Sequence, residues 1–153
     1  MKSAPFEYVR AKAIGEVFEA CTQYAGEAQI LAGGQSLMPI LNMRLAAPKG
    51  LIDINGIGEL SGITNSNGII RIGALTRIGE LISSSEIENY LPLLKLAVPH
   101  IAHPAVRNRG TVGGSVCHAD PAAEVPACIV ALDGKMNIAG ADGDRVVEAK
   151  DFF

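Results

Sequence analysis

The sequence predicts an α+β fold in two parts, a β-α-β-α-β unit over residues 1–55 and a region of hairpins and helices over 56–153. Three observations predict it. Short apolar runs alternate with helical spacing in the first third of the chain, which is the pattern of parallel strands joined by helical crossovers. After Asn55-Gly56 the pattern changes to short strands paired around turn residues. The 153 residues are 48% hydrophobic and 19% charged, enough apolar material for one ordinary domain or two small subdomains, and too much for a disordered chain.

Residues 6–9 read as a first strand. Ile14, Val17, Phe18 and Cys21 then follow the i, i+3, i+4, i+7 spacing of an amphipathic helix, and Gly26 ends it. The apolar run 28–32 is too short for a helix and breaks at Gly33-Gly34, so it reads as a buried strand entering a glycine turn. Ser36 is the expected N-cap of a helix over 37–45, with Pro39 tolerated in its first turn and Pro48 and Gly50 closing it. Residues 51–54 form the third strand, and the crossovers make the three strands parallel. Next, 62–64 and 69–72 form a hairpin around Asn65-Ser66-Asn67-Gly68. Helices are expected over 77–82, capped by Thr76, and over 92–101. Residues 103–116 hold few apolar side chains in any period and read as an extended loop with a short strand at its centre. Val125, Cys128, Ile129 and Leu132 restore helical spacing, and 135–139 with 145–147 flank Asp142-Gly143 as a second hairpin. Because exposed Phe pairs are costly, the final Asp151-Phe152-Phe153 leads us to expect further chain beyond it.

Composition excludes several function classes. Lys and Arg total 13 against 16 acids, a net charge of −3, so there is no basic stripe for phosphate backbones or anionic lipid; aromatics are 5% with no Trp, which disfavours a base-stacking platform. No apolar run is long enough to span a membrane, and charged residues are scattered through the first twenty positions, so a cytoplasmic location without a signal peptide is the expectation. Cys21, Cys117 and Cys128 are odd in number and lack Cys-x-x-Cys spacing, against a disulfide framework, a zinc knuckle or an iron–sulfur site in this chain. Any redox chemistry therefore needs an organic cofactor.

Two glycine clusters carry the chemistry. Ala32, Gly33, Gly34, Gln35, Ser36 and Leu37 lie between an expected strand and an expected helix, where unpaired amides and closely approachable backbone suit a pyrophosphate. The pattern is neither the Rossmann nor the Walker fingerprint, and a turn that needs Gly for steric reasons alone explains it about equally well. In the second cluster Gly113 and Gly114 are flanked by the hydroxyls of Thr111 and Ser115, giving another nest of amides, and Glu124 can accept from ribose hydroxyls. His118 and Asp120 are close enough to reach the same ligand. A metal held by Cys117, His118, Asp120 and Glu124 is disfavoured, because neighbouring side chains point apart and no further ligands complete a shell.

The runs AGGQSLMPILNMRLAAP at 32–48 and IAHPAVRNRGTVGGSVCHADPAAEVPA at 101–127 resemble the two flavin-binding motifs of the medium subunit of molybdenum hydroxylases, the carbon monoxide dehydrogenase, xanthine dehydrogenase and aldehyde oxidase family. Asp53-Ile54 and the segment 72–76 also resemble the segments linking those motifs, so the resemblance covers nearly the whole chain. It implies a two-subdomain FAD-binding fold of the vanillyl-alcohol-oxidase type. It implies FAD as cofactor, its pyrophosphate held by Ala32 to Ser36 with Leu37 following, and by Thr111, Val112, Gly113, Gly114 and Ser115. Ile101 would back the flavin, and His118, Ala123 and Glu124 would surround the adenosine and ribitol. Glu124 stands where many relatives carry Asp and Ser115 where many carry Asn; both keep polar capability. Family medium subunits continue well past the Asp-Phe-Phe segment.

The implied role is an electron-transfer component that passes electrons from iron–sulfur clusters through flavin to an external acceptor. Substrate oxidation falls to a molybdenum-cofactor large subunit, and a 2Fe–2S small subunit is the other implied partner. A stand-alone flavin oxidoreductase of the same fold and a truncated interaction module without cofactor are the alternatives. No catalytic acid–base set and no metal ligands are expected. His100 and His103 read as surface or helix-end groups, Arg107 and Arg109 as partners of local carboxylates, Met38 and Met43 as core filler, and Cys117 as a small buried hydrophobe.

Overall fold

The computed structural model describes residues 2–153. Strands β1 (Glu7–Arg10), β2 (Ala28–Leu31) and β3 (Gly50–Asp53) form one parallel sheet in the order β1-β3-β2, with Tyr8 and Gln29 both opposite Leu51. β3 sits in the middle and is buried along its whole length, in keeping with a 51–54 run that is apolar except at Asp53. Helix α1 (Ile14–Gln23) crosses from β1 to β2 and turns Val17 and Ala20 inward; they pack with Ala11, Ile52 and Ile57 as a first core. Ile57 and the partly buried Leu60 thus serve this core from beyond residue 55. Helix α2 (Leu37–Asn42) crosses from β2 to β3. It ends three residues earlier than expected, because Arg44 takes a left-handed conformation (φ 57°), and the Ser36 hydroxyl makes no capping bond.

The β4 (Ile63–Ser66) and β5 (Ile69–Ile72) hairpin turns on Asn67 and Gly68 at φ 53° and 80°, the paired positive values of a type I′ turn. Helices α3 (Ile78–Ser83), α4 (Ser85–Tyr90) and α5 (Pro92–Ala97) follow, then a short 3-10 turn over Val98–His100. The single helix expected over 92–101 is therefore shorter, and α4 precedes it, started by Ser84, whose hydroxyl accepts from the Ile87 N–H. Leu91 leaves the helical region (φ −130°, ψ 58°) just ahead of Pro92, as the residue before a proline tends to do. Thr76 is not a cap. It is fully buried, and its hydroxyl donates to the Gly62 carbonyl and accepts the Gly62 N–H, both at 3.0 Å.

The larger correction concerns 103–116, which is not an extended loop. It holds α6 (Pro104–Arg107) and the start of α7 (Val112–His118), and its strand content is a single bridge between Thr111 and Arg77. Pro104 occupies the first turn of α6, and Thr111 caps α7 by accepting the Gly114 N–H. These capping signals outweigh the weak apolar period. Helix α8 (Glu124–Ala131), the antiparallel pair β6 (Lys135–Ile138) and β7 (Arg145–Glu148), and α9 (Ala149–Phe152) complete the chain. A second core gathers Ile78, Leu81, Ile87, Leu94, Val98, Val112, Val116, Val125 and Cys128. Phe152 packs against it, while Phe153 stands partly exposed with its ring edge-on to Phe152 at 5.1 Å. Among the described residues, no helix is long and apolar enough to cross a membrane.

Replacing Thr76 by Val keeps the shape but removes the acceptor of the Gly62 N–H. A loss of about 1–1.5 kcal/mol in urea-denaturation stability is expected.

Candidate functional site

The chain leaves β2 at Leu31, makes a turn over residues 32–36 and enters α2. Directly opposite lies the backbone of Arg109 and Gly110, which leads into α7. The two segments touch: a Cβ on Gly33 would overlap the Arg109 carbonyl oxygen and stand 2.9 Å from the Gly110 Cα. Glycine is needed here because two backbones meet, and only its missing Cβ allows it. A cleft of about 500 Å³ opens in front of this contact. Its floor is the 32–36 turn, one apolar wall carries Ile30, Leu37 and Ile40, and the other carries Ile78, Ile101 and Val106. Gly114, Ser115, Cys117 and His118 of α7, with Asp120 and Ala123 beyond it, form the far side.

The two glycine clusters differ in what they offer. Among the described residues, none of the Gly33, Gly34, Gln35, Ser36 and Leu37 N–H groups donates to a protein acceptor. Their carbonyls are held, however. Ala32 O accepts from Asn55 Nδ2 at 2.8 Å, Gly33 O from Gln35 Nε2 at 3.1 Å, and Gly34 O from the Met38 N–H at 3.2 Å. In the second cluster the glycine amides and that of Val112 are already used. Gly110 N–H donates to Val106 O, Val112 to Thr76 O, Gly113 to Ala74 O and Gly114 to Thr111 Oγ1. Gly113 is pressed so tightly on Ala74 that a Cβ would lie 2.7 Å from the alanine methyl. The two clusters are thus not equivalent: the first presents five free amides, and the second is a capped helix start fastened to the 74–76 segment.

Sequence-expected residues divide accordingly. Ala32, Gly33, Gly34, Gln35, Ser36, Leu37, Ile101, Thr111, Gly114, Ser115, His118 and Ala123 line the cleft. Val112 points into the second core, Gly113 packs on Ala74, and Glu124, which starts α8 near Cys128, lies outside the lining. Cys117 is exposed on the cleft rather than buried, and packing on its thiol pushes its pKa up. Among the described residues Arg107 pairs with no carboxylate: its Nη1 donates to the carbonyls of Pro99, Ile101 and Ala102, which fixes the loop that carries Ile101 to the wall.

Sequence reasoning missed the polar chain behind the floor. The Tyr8 hydroxyl donates to Asp53 Oδ2; Asp53 Oδ1 accepts from the Asn55 N–H at 2.8 Å and from Asn55 Nδ2 at 2.6 Å. Asn55 Oδ1 accepts from Arg77 Nη2 at 2.7 Å, and Arg77 Nη1 donates to the Arg109 carbonyl at 2.5 Å. No spacing rule links positions 53, 55, 77 and 109, so no sequence signal could have found the chain. Burial pushes the Asp53 carboxyl up, but the hydrogen bonds from Tyr8 and Asn55 and the charge of Arg10 outweigh it and hold the pKa below the ordinary aspartate value.

An alanine at Gly33 forces the two backbones apart. The expected cost is about 1–3 kcal/mol of stability by urea denaturation. Because the folded-state pKa of Asp53 is depressed, its contribution to stability is present above the unfolded-state pKa and is lost as pH falls through the folded one. Asp53→Asn should therefore lower the melting temperature at pH 7 and flatten its fall below about pH 4, read by thermal melts across pH.

The free amide row and the apolar walls fit a molecule that carries a pyrophosphate between flat ring systems, as FAD does. Comparison with known proteins agrees. Residues 4–153 match the family described as the FAD binding domain in molybdopterin dehydrogenase. The chain is 43% identical to the 6-hydroxypseudooxynicotine dehydrogenase complex subunit alpha of Paenarthrobacter nicotinovorans, over 100% of this chain and 52% of that protein. It is also 43% identical to the carbon monoxide dehydrogenase medium chain of Hydrogenophaga pseudoflava, over 97% of this chain and 52% of that one. The solved structure of carbon monoxide dehydrogenase from Hydrogenophaga pseudoflava superposes with a TM-score of 0.95 at 43% identity, covering 98% of this chain and 52% of that chain. Quinoline 2-oxidoreductase from Pseudomonas putida 86 superposes with a TM-score of 0.95 at 37% identity, covering 100% and 55%. The chain spans about half the length of the relatives it matches. It belongs to the family of FAD-binding domains of molybdopterin dehydrogenases.

Proposed function

We propose that this chain holds FAD across the cleft and serves as the electron-transfer element of a molybdenum hydroxylase. A molybdenum-cofactor large subunit and a 2Fe–2S small subunit are its partners, and the cytoplasm is its location. The observation that carries the reading is the row of five amides, Gly33 to Leu37, whose donors have no protein acceptor while the carbonyls on the other side of the turn are held. Such a row suits a diphosphate, and Ser36 adds a hydroxyl. Ile101 and Val106 offer an apolar backing for a flavin, and His118, Ser115 and Ala123, with Glu124 nearby, suit the adenosine and ribitol portions. When bound, FAD supplies an electron acceptor that can be refilled and emptied by different partners. This chain's residues contribute binding, orientation and exclusion of water from the apolar walls; no acid–base pair is needed. We also assign residues 1–55 and 56–153 to the two subdomains of a vanillyl-alcohol-oxidase-type fold, with the cofactor between them.

The purified chain is expected to be yellow, or to become so on reconstitution, and an acid extract should contain FAD rather than FMN. Gly34 has φ 70° and its Cβ would sit 3.2 Å from both Leu31 Cδ1 and Met38 Cγ, so Gly34→Val should abolish FAD binding while circular dichroism stays unchanged. Ser36→Ala should weaken binding by about 1 kcal/mol. Full affinity in Gly34→Val, or a chain that takes up no FAD at micromolar concentration, overturns the reading.

A further inference from the structure

Asn55 lies behind the cleft floor, outside the cleft lining. Its amide is fully used: the two Nδ2 hydrogens go to Ala32 O and Asp53 Oδ1, and Oδ1 accepts from Arg77. Turning the amide over would set the arginine donors against an N–H2 group and the carboxylate against an oxygen, so its neighbours permit one orientation only. In a trans peptide the carbonyl and the next N–H point in opposite directions. Holding the Ala32 carbonyl from behind therefore aims the Gly33 N–H forward, away from Asn55 and toward the cleft.

We propose that Asn55 is a positioning residue for the FAD diphosphate, which it serves without touching it by pinning the Ala32–Gly33 peptide, and that Asp53 and Arg77 lock Asn55 in the required orientation. The inference rests on the FAD reading above. Arg77 extends the same control across the cleft. One nitrogen of its guanidinium holds Asn55, and the other holds the carbonyl of Arg109, whose oxygen abuts Gly33. The peptide that presents the first free amide and the backbone facing it are thus set by one continuous chain of hydrogen bonds that begins at Tyr8. Preorganised donors need no rearrangement when the anion arrives, so their loss appears as weaker binding rather than as a misfolded chain.

The test compares wild type, Asn55→Leu and Asn55→Asp in the 153-residue chain. FAD affinity is read by flavin fluorescence, and the 15N–1H spectrum is recorded without FAD. Leu keeps the volume and removes every side-chain bond of position 55, leaving only its backbone N–H on Asp53. Asp keeps an acceptor for Arg77 but cannot donate to Ala32 O, so it answers the question if the leucine variant fails to fold. Both should lose about tenfold in FAD affinity, with the Gly33 amide resonance shifted or broadened and the central-strand resonances of Leu51 and Ile52 unchanged. Arg77→Met should lose less, because Asp53 still holds Asn55. Folded variants that bind FAD within twofold of wild type, or a Gly33 resonance that does not move, overturn the positioning role. A wild-type chain that binds no FAD sinks the cofactor reading instead, and the Gly33 resonance still decides whether Asn55 pins the peptide.

Discussion

The structure depends on one backbone contact, Ala32-Gly33 against Arg109-Gly110. The parallel sheet with its crossover helices makes one core, and the helices after the first hairpin make another; these halves meet chiefly through loops rather than through packed elements. What fixes their separation is a glycine with no room for a Cβ on one side and a carbonyl on the other, held from behind by Asn55 and Arg77. The cleft width follows from that contact. So does the direction in which the first turn's amides point, since the same two side chains orient the peptide on one side and the carbonyl on the other.

Glycine pairs look alike in a sequence but answer different needs. Gly33 is where two backbones touch, and the amides that follow it have no protein acceptor. Gly113 and Gly114 sit in the first turn of a capped helix whose amides are consumed by Ala74 and Thr111. The second pair secures the position of α7, and with it Ser115 and His118, instead of presenting a nest. A glycine cluster therefore announces close approach, and only the hydrogen-bond account tells whether the neighbour is a ligand or the protein itself.

The β-α-β-α-β unit was legible because a buried central parallel strand favours a mostly apolar run, and 51–54 is apolar at every position but Asp53. The two hairpins were legible from Asn-Gly and Asp-Gly turns between short strands. The 103–116 segment was not, because α6 and α7 are too short to show an apolar period, and the start signals, Pro104 in the first turn of α6 and the Thr111 cap of α7, outweigh that missing signal. Thr76 misled in the opposite sense: a hydroxyl ahead of a helix resembles a cap, but this one is spent on Gly62, fourteen residues away. Within the site, side chains that come from one of the two motifs could be named from sequence. The polar chain joining Asp53, Asn55, Arg77 and Arg109 could not, since its members are brought together only by the tertiary fold.

Among the described residues no lysine or arginine lines the cleft, so on the proposed reading a diphosphate meets no cationic side chain there. Arg77 and Arg107 bind carbonyls and position the segments beside the cleft. Hydrogen bonds from or to neighbours raise the pKa values of Tyr8, Tyr24 and Lys135 and lower those of Glu148 and, against burial, Asp53, and none of these five side chains is among the residues lining the cleft. On the proposed reading, anion recognition falls to backbone dipoles, which do not titrate and lose no affinity to a change in protonation. Dipoles work only when held still, and an amide row that depends on a turn between two cores is held still only while the cores keep their distance. On the same reading, a ligand that touches both walls stabilises the backbone contact that shapes its own site, so binding and that contact are linked equilibria.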